Sequence, residues 1–183
     1  MGRGQLERLG RVLIMDNNHT VFVYGTLKRG GGLAHVLSSG YYAGEAVIAG
    51  RLFNLGAFPG LKQAVGFRDK LTQRQLRSRL GEVAFRIGEI PGADLVLGEV
   101  YRVSDAVIQN LDRVEGVSSG LYERRAVIAY MLQPRHPGLC EVATAYHYER
   151  DIDESDRIPQ THGHPQFDRP LASWGLTDHR IGL

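Results

Sequence analysis

The stretch HTVFVYGTLKRGGG, residues 19–32, constrains this chain more than any other. Thr20, Val21, Phe22, Val23 and Tyr24 are all β-branched or aromatic, so they read as a strand. Gly25 stops it, Thr26 places a short hydroxyl beside the turn, and Lys28, Arg29 and Gly30–Gly32 follow as a mobile basic collar. A tight turn at a strand end can aim several backbone N–H groups into one concavity. Such a nest binds a carboxylate or a developing oxyanion without a charged side chain. On spacing alone, an ordinary glycine turn closing a buried strand is the simpler reading. The glycines are not a phosphate loop, because that motif places Lys-Ser/Thr after the glycines and before a helix.

Downstream, LAHVLSSG (33–40) reads as a short helix with Leu33, Val36 and Leu37 on one face. Residues 41–56 are β-prone but broken repeatedly at glycine, which suits strands with turns or bulges. Pro59–Gly60 is a turn signal. The segment 67–93 carries six basic residues (Arg68, Lys70, Arg74, Arg77, Arg79, Arg86) against three acidic ones (Asp69, Glu82, Glu89). Leu76 and Leu80 are one helical turn apart there, so a short basic helix fits. A solvated surface excursion is the simpler reading, and a basic lid or partner surface the functional one.

A second strand is expected at 94–103 and a helix at 104–116. Ser104 suits the N-cap, Asp105 complements the positive helix end, Val107, Ile108, Leu111 and Val114 recur at helical spacing, and Gly116 ends it. Residues 121–132 and 141–149 read as a hairpin around the turn PRHPG (134–138). The tail from 150 begins acidic and is mostly irregular.

The chain has 183 residues, enough for one domain with its own core. Its net charge of +2 is too small to argue for nucleic acid. Cys140 is the only cysteine, so no intrachain disulfide forms, which fits a reducing, cytoplasmic compartment. No apolar run reaches membrane-spanning length. Residues 1–19 read as an N-terminal arm, or Met15 rather than Met1 as the start. Residues 20–150 read as the folded domain and 151–183 as a tail packed on it.

Glu115 is the candidate proton shuttle. A carboxylate at a helix C-terminus faces the negative end of the macrodipole, and partial burial raises its pKa further. From residue physics alone, a solvated glutamate beside a capping glycine is the simpler reading, and only the resemblance below singles Glu115 out. Asp112 sits one turn back and is more simply an outward helix residue. His162 and His164 lack a third ligand at a standard metal spacing, and Cys140 has no activating neighbour motif.

Taken in order, VFVYGTLKRG, NLGAFPGL, VLGEVYRV, and LDRVEG followed by LYERR resemble the gamma-glutamylcyclotransferase-like family over residues 20–150. The YGTLKRG form is similar to its gamma-glutamylamine cyclotransferase branch, and the stretch 67–93 stands out as an insertion. The resemblance implies an α+β fold, a small mixed β-barrel flanked by short helices. It implies Tyr24, Gly25, Thr26 and Leu27 as the substrate-binding turn and Glu115 as catalytic acid/base. Tyr122 is implied as a pocket residue, with Tyr146 as a further one and Tyr148 as its alternative. The implied reaction releases 5-oxoproline from a small-molecule gamma-glutamyl substrate, with no cofactor, metal, nucleic acid or membrane partner. A non-catalytic binding relative that keeps the pocket is the other class.

Overall fold

The structure, a computed structural model, describes residues 19–63, 74–75, 93–132, 139–163 and 170–174. The N-terminal arm, the helix expected at Leu76 and Leu80 with nearly all of 67–93, the turn at 134–138 and His164 lie outside the described residues.

Six strands are present: β1 (His19–Val23), β2 (Tyr41–Asn54), β3 (Pro59–Lys62), β4 (Asp94–Val103), β5 (Tyr122–Met131) and β6 (Cys140–Tyr148). The sheet order is β3-β2-β4-β1-β6-β5, and a further pairing of β2 with β5, Ala46 opposite Met131, closes five strands into a barrel. The neighbours are antiparallel except β1 and β6, which run parallel with Val21 opposite Thr144. This is the mixed barrel the resemblance implies, with the α-helix α1 (Asp105–Val114) and short 3-10 turns beside it.

Alternation along the strands explains both layers of the core. Phe22, Ala46, Ile48, Val96, Val100, Ala129, Met131, Ala143 and Ala145 meet in one cluster inside the barrel. Val21, Val23, Tyr101, Val103 and Tyr146 lie on the opposite face. There they pack under Val107, Ile108 and Leu111 of α1 and under Val36 and Leu37 of the 3-10 turn Ala34–Leu37. β1 is apolar on both faces because both are covered.

Three local expectations change. Residues 41–54 form one long strand, since the glycines bend it without ending it. The only register shift with β4 falls between Tyr42 and Gly44, where Gly44 has φ 142°. Pro59–Gly60 opens β3 instead of turning. The turn lies just before, closed by Leu55 N–H donating to Phe58 O at 3.1 Å with Gly56 at φ 86°. Proline is tolerated there as the first residue of an edge strand. Ser104 holds the N-cap position but its side chain makes no cap bond, while Asp105 Oδ1 lies 2.6 Å from His19 Nε2.

The tail is irregular yet firmly held. Asp94, almost fully buried, accepts two hydrogen bonds from Arg157, at 2.9 and 2.7 Å, and one from Gln160 at 2.7 Å. Ala172 pairs in parallel with Val96 where β1 has already turned away from β4. Leu97 N–H donates to Ala172 O at 2.9 Å, and Ala172 N–H to Leu95 O at 2.8 Å. Trp174 then enters the barrel core.

Candidate active site

β1 and the turn after it form one wall of a cavity of about 350 Å³. Tyr24, Gly25, Thr26 and Leu27, together with Glu115, Tyr122 and Tyr146, all line it. The structure thus brings together these seven residues that the resemblance implies, contributed by the turn after β1, the end of α1, β5 and β6. Tyr148, the alternative to Tyr146, is not in the lining; it packs edge-on against Tyr122, ring centroids 5.3 Å apart.

Gly25 owes its identity to a close approach. A Cβ there would sit 2.6 Å from Pro59 Cγ, so a side chain would push the turn off β3. The turn's own backbone bonds are donated by Lys28 N–H to Gly25 O (3.0 Å), Gly31 N–H to Lys28 O (2.9 Å) and Leu33 N–H to Thr26 O (3.0 Å). The amides of Gly25, Thr26 and Leu27 donate none of these.

The collar is less mobile than the sequence suggests. Arg29 N–H donates to Glu99 Oε2 at 2.9 Å and its Nε to Glu99 Oε1 at 3.2 Å. Its guanidinium lies 3.7 Å from the centre of the Tyr42 ring. Tyr101 adds a third donor to Glu99, at 2.9 Å. These groups stand on the far side of the turn, where a smaller cavity of about 260 Å³ is lined by Lys28, Arg29, Glu45, Glu99 and Trp174.

Glu115 is the C-cap of α1. Its N–H donates to Leu111 O at 2.8 Å, and Gly116, at φ 64°, turns the chain away. Its carboxylate has no hydrogen-bond or ion-pair partner among the described residues, and burial alone pushes its pKa up to about 7. A carboxylate tuned to that range can take up and release a proton near neutral pH.

The three tyrosines around it are fixed by their own hydroxyls. Tyr24 donates to Tyr146 O at 2.7 Å, Tyr122 to Pro59 O at 2.9 Å, and Tyr146 to Asp112 Oδ1 at 2.8 Å. Burial raises the pKa of all three, and the Glu115 charge raises each further. They therefore stay neutral, and among the described residues of the lining Glu115 is the one with a pKa near neutral pH. Their hydroxyl protons being committed, what they offer a ligand is oxygen lone pairs and ring faces.

Asp112 corrects an expectation: it is no free outward residue. It accepts from Tyr146 and lies 3.3 Å from Arg124 Nε, so its role is to hold a pocket wall. It is absent from the lining, which separates it from Glu115. The wall the sequence reading overlooked is the loop Ala57, Phe58 and Pro59. Its signal was the segment NLGAFPGL, already part of the resemblance. Elsewhere, Cys140 is half-buried, His162 pairs through its backbone with Leu171, and no group of three His, Cys, Asp or Glu side chains among the described residues is placed to hold a metal. No described helix is long and apolar enough to cross a membrane.

With this geometry in view, comparison with known proteins is informative. Residues 21–165 match the family described as gamma-glutamyl cyclotransferase, AIG2-like. The chain belongs to that family. No curated protein matches the sequence. Among solved structures, an AIG2-like protein from Mus musculus is 23% identical at a TM-score of 0.53, with 74% of this chain and 80% of that one covered. An uncharacterized protein from Pyrococcus horikoshii is 18% identical at a TM-score of 0.48, covering 76% and 85%. The mouse likeness is one of fold.

Proposed function

We propose that this chain is a cyclotransferase that cleaves a gamma-glutamyl amide by attack of the substrate's own α-amine, releasing 5-oxoproline and a free amine. The observation that carries this reading is Glu115, an unpartnered carboxylate with a pKa of about 7, in the same cavity as the Gly25–Leu27 turn.

The α-amine and the γ-carbonyl belong to one molecule, and their union closes a five-membered ring. Holding the folded conformer therefore supplies much of the acceleration. The α-amine arrives as an ammonium, and Glu115 takes its proton. The nitrogen lone pair then attacks the γ-carbonyl carbon, and the carbonyl oxygen becomes an oxyanion facing the amides of the Gly25–Leu27 turn. Collapse breaks the bond to the leaving nitrogen, which receives the proton from Glu115; the carboxylate, free again, takes the second proton from the ring nitrogen and passes it to the released amine, which departs as an ammonium. One carboxylate serves as base and then as acid, so a pKa near neutrality suits both steps. The phenolic oxygens of Tyr122 and Tyr146, with lone pairs free, suit the ammonium before it is deprotonated.

The test is release of 5-oxoproline from a panel of gamma-glutamyl amino acids, gamma-glutamyl-lysine, glutathione and gamma-glutamylated amines. Turnover by the native chain and its loss in a folded Glu115→Gln variant is the expected result. Full activity in that variant would remove Glu115 from the reaction. Binding without turnover across the panel favours the non-catalytic relative.

A further inference from the structure

The rim of the candidate active site differs in chemistry from its floor. Among the described residues, four large hydrophobic side chains are exposed, and two of them, Phe58 and Val114, line this cavity. Leu33 and Leu121, half-buried, line it as well. Single exposed apolar residues need no explanation, but an apolar ring around a pocket does.

Each of the four is tied, through the chain, a hydrogen bond or a ring contact, to a residue proposed for the glutamyl group. Val114 precedes Glu115. Leu121 precedes Tyr122 and is fixed by its N–H donating to Gly116 O at 3.1 Å. Phe58 precedes Pro59, which accepts from Tyr122, and its ring centre lies 6.5 Å from that of Tyr122. Leu33 N–H donates to Thr26 O at 3.0 Å. With the polar glutamyl end against the inner ring, as the cyclotransferase reading has it, the group on the amide nitrogen would lie against the outer one. The basic collar does not serve that outer ring. Lys28 and Arg29 line the other cavity, beyond the turn, and Glu115 is the only charged residue in this one among the described residues.

We infer that the group carried on the amide nitrogen is apolar and bears no charged substituent, so that the amine released is a simple branched or aromatic alkylamine, selected by Phe58, Val114, Leu33 and Leu121. The inference rests on the cyclotransferase reading and narrows its substrate class. A leaving group carrying an ammonium or a carboxylate would lose hydration at this rim and find no opposite charge among the described residues, whereas an alkyl or aryl group would lose only contact with water.

The experiment compares kcat/KM for 5-oxoproline release from gamma-glutamyl-isoamylamide and gamma-glutamyl-benzylamide with that from gamma-glutamyl-ε-lysine and gamma-glutamyl-glycine. The apolar amides are expected to be favoured by about tenfold or more, the discrimination that a few methylenes in an apolar site provide. In a folded Phe58→Ser/Val114→Ser double variant that ratio should fall toward one, chiefly through KM for the apolar amides. A charged amide turned over as well as the apolar ones, with Glu115-dependent activity, overturns the inference and leaves the reaction standing. An unchanged ratio in the double variant overturns the assignment to these residues. Silence on all four amides, in protein shown by circular dichroism to be folded, overturns the cyclotransferase reading and this inference with it.

Discussion

Two glutamates flank the turn that follows β1, and they are treated in opposite ways. Glu99 on β4 is buried on one side with three donors aimed at it: the Arg29 N–H, the Arg29 guanidinium and the Tyr101 hydroxyl. Glu115 at the end of α1 lines the cavity on the other side with no such partner among the described residues, and its pKa rises to about 7. A carboxylate given donors becomes a strut that holds the collar of the turn. One deprived of them is left with a pKa near neutrality, as the proposed proton carrier needs, and lowers the stability of the folded chain when charged. The same side chain thus builds the turn from behind and equips the cavity in front of it.

The sharpest way to break this contrast is to replace each glutamate by glutamine. Glu115→Gln should lower kcat for 5-oxoproline release by about 10³-fold or more, because an amide cannot carry the proton, a role of the size usual for general acid–base groups. A rapid-quench assay of 5-oxoproline on folded protein checks it.

The same variant should be the more stable protein at neutral pH. The folded pKa of Glu115, about 7, lies above its ordinary value of 4.5, so the stabilising term is present in full below pH 4.5. It is lost as pH rises toward 7 and stays lost above it. Since one pKa unit corresponds to about 1.4 kcal/mol, the native chain should fall behind Glu115→Gln by up to about 3 kcal/mol across that window. Urea unfolding at pH 4.5 and 8 measures the gap, and equal stability at both values would contradict an isolated buried carboxylate. In activity, the same titration predicts kcat/KM rising with pH through about 7 as Glu115 becomes the base.

Glu99→Gln should move stability the other way. It removes a charged acceptor from three donors, and a loss of about 2 kcal/mol is expected, the scale of hydrogen bonds to charged groups. The pH profile of any remaining activity should keep its midpoint, since Glu99 carries no proton in the reaction.

The smallest effect is expected of Tyr122→Phe. Losing the hydroxyl that donates to Pro59 O removes one buried hydrogen bond and should lower stability by about 1 kcal/mol. Because that bond ties the loop of Phe58 to β5, KM should rise more than kcat falls.

What could be read from the sequence follows from range. β1, β4, α1 and the β5–β6 pair carry their signals locally, in runs such as VFVY, the helical spacing of Val107, Ile108 and Leu111, and the glycine at 116. β3 could not be read in this way, because Pro59 and Gly60 are locally turn residues and only pairing with Phe53 and Asn54 makes them a strand. Nor could β2, whose glycines hide a continuous strand behind apparent breaks. The cavity residues became legible together only through the family resemblance, since Tyr24 and Tyr146 meet across 122 residues of sequence. Asp112 and Glu99 were misread or passed over for the same reason: their partners, Tyr146 and Arg29, come from distant strands and turns. Trp174 lay in a tail read as packed on the domain, with no local pattern to show that it enters the barrel core.

The parallel pairing of β1 with β6 has a consequence for how the chain acquires its structure. β1 is the first strand described, yet one neighbour, β4, and the other, β6, are both far downstream. During synthesis the segment VFVY waits, apolar on both faces, until β6 has left the ribosome, and contacts of such long range make folding slow. The strand that ends in the Gly25–Leu27 turn is thus the stretch most in need of shielding in the nascent chain. Chains halted before β6 should be held by chaperones or aggregate.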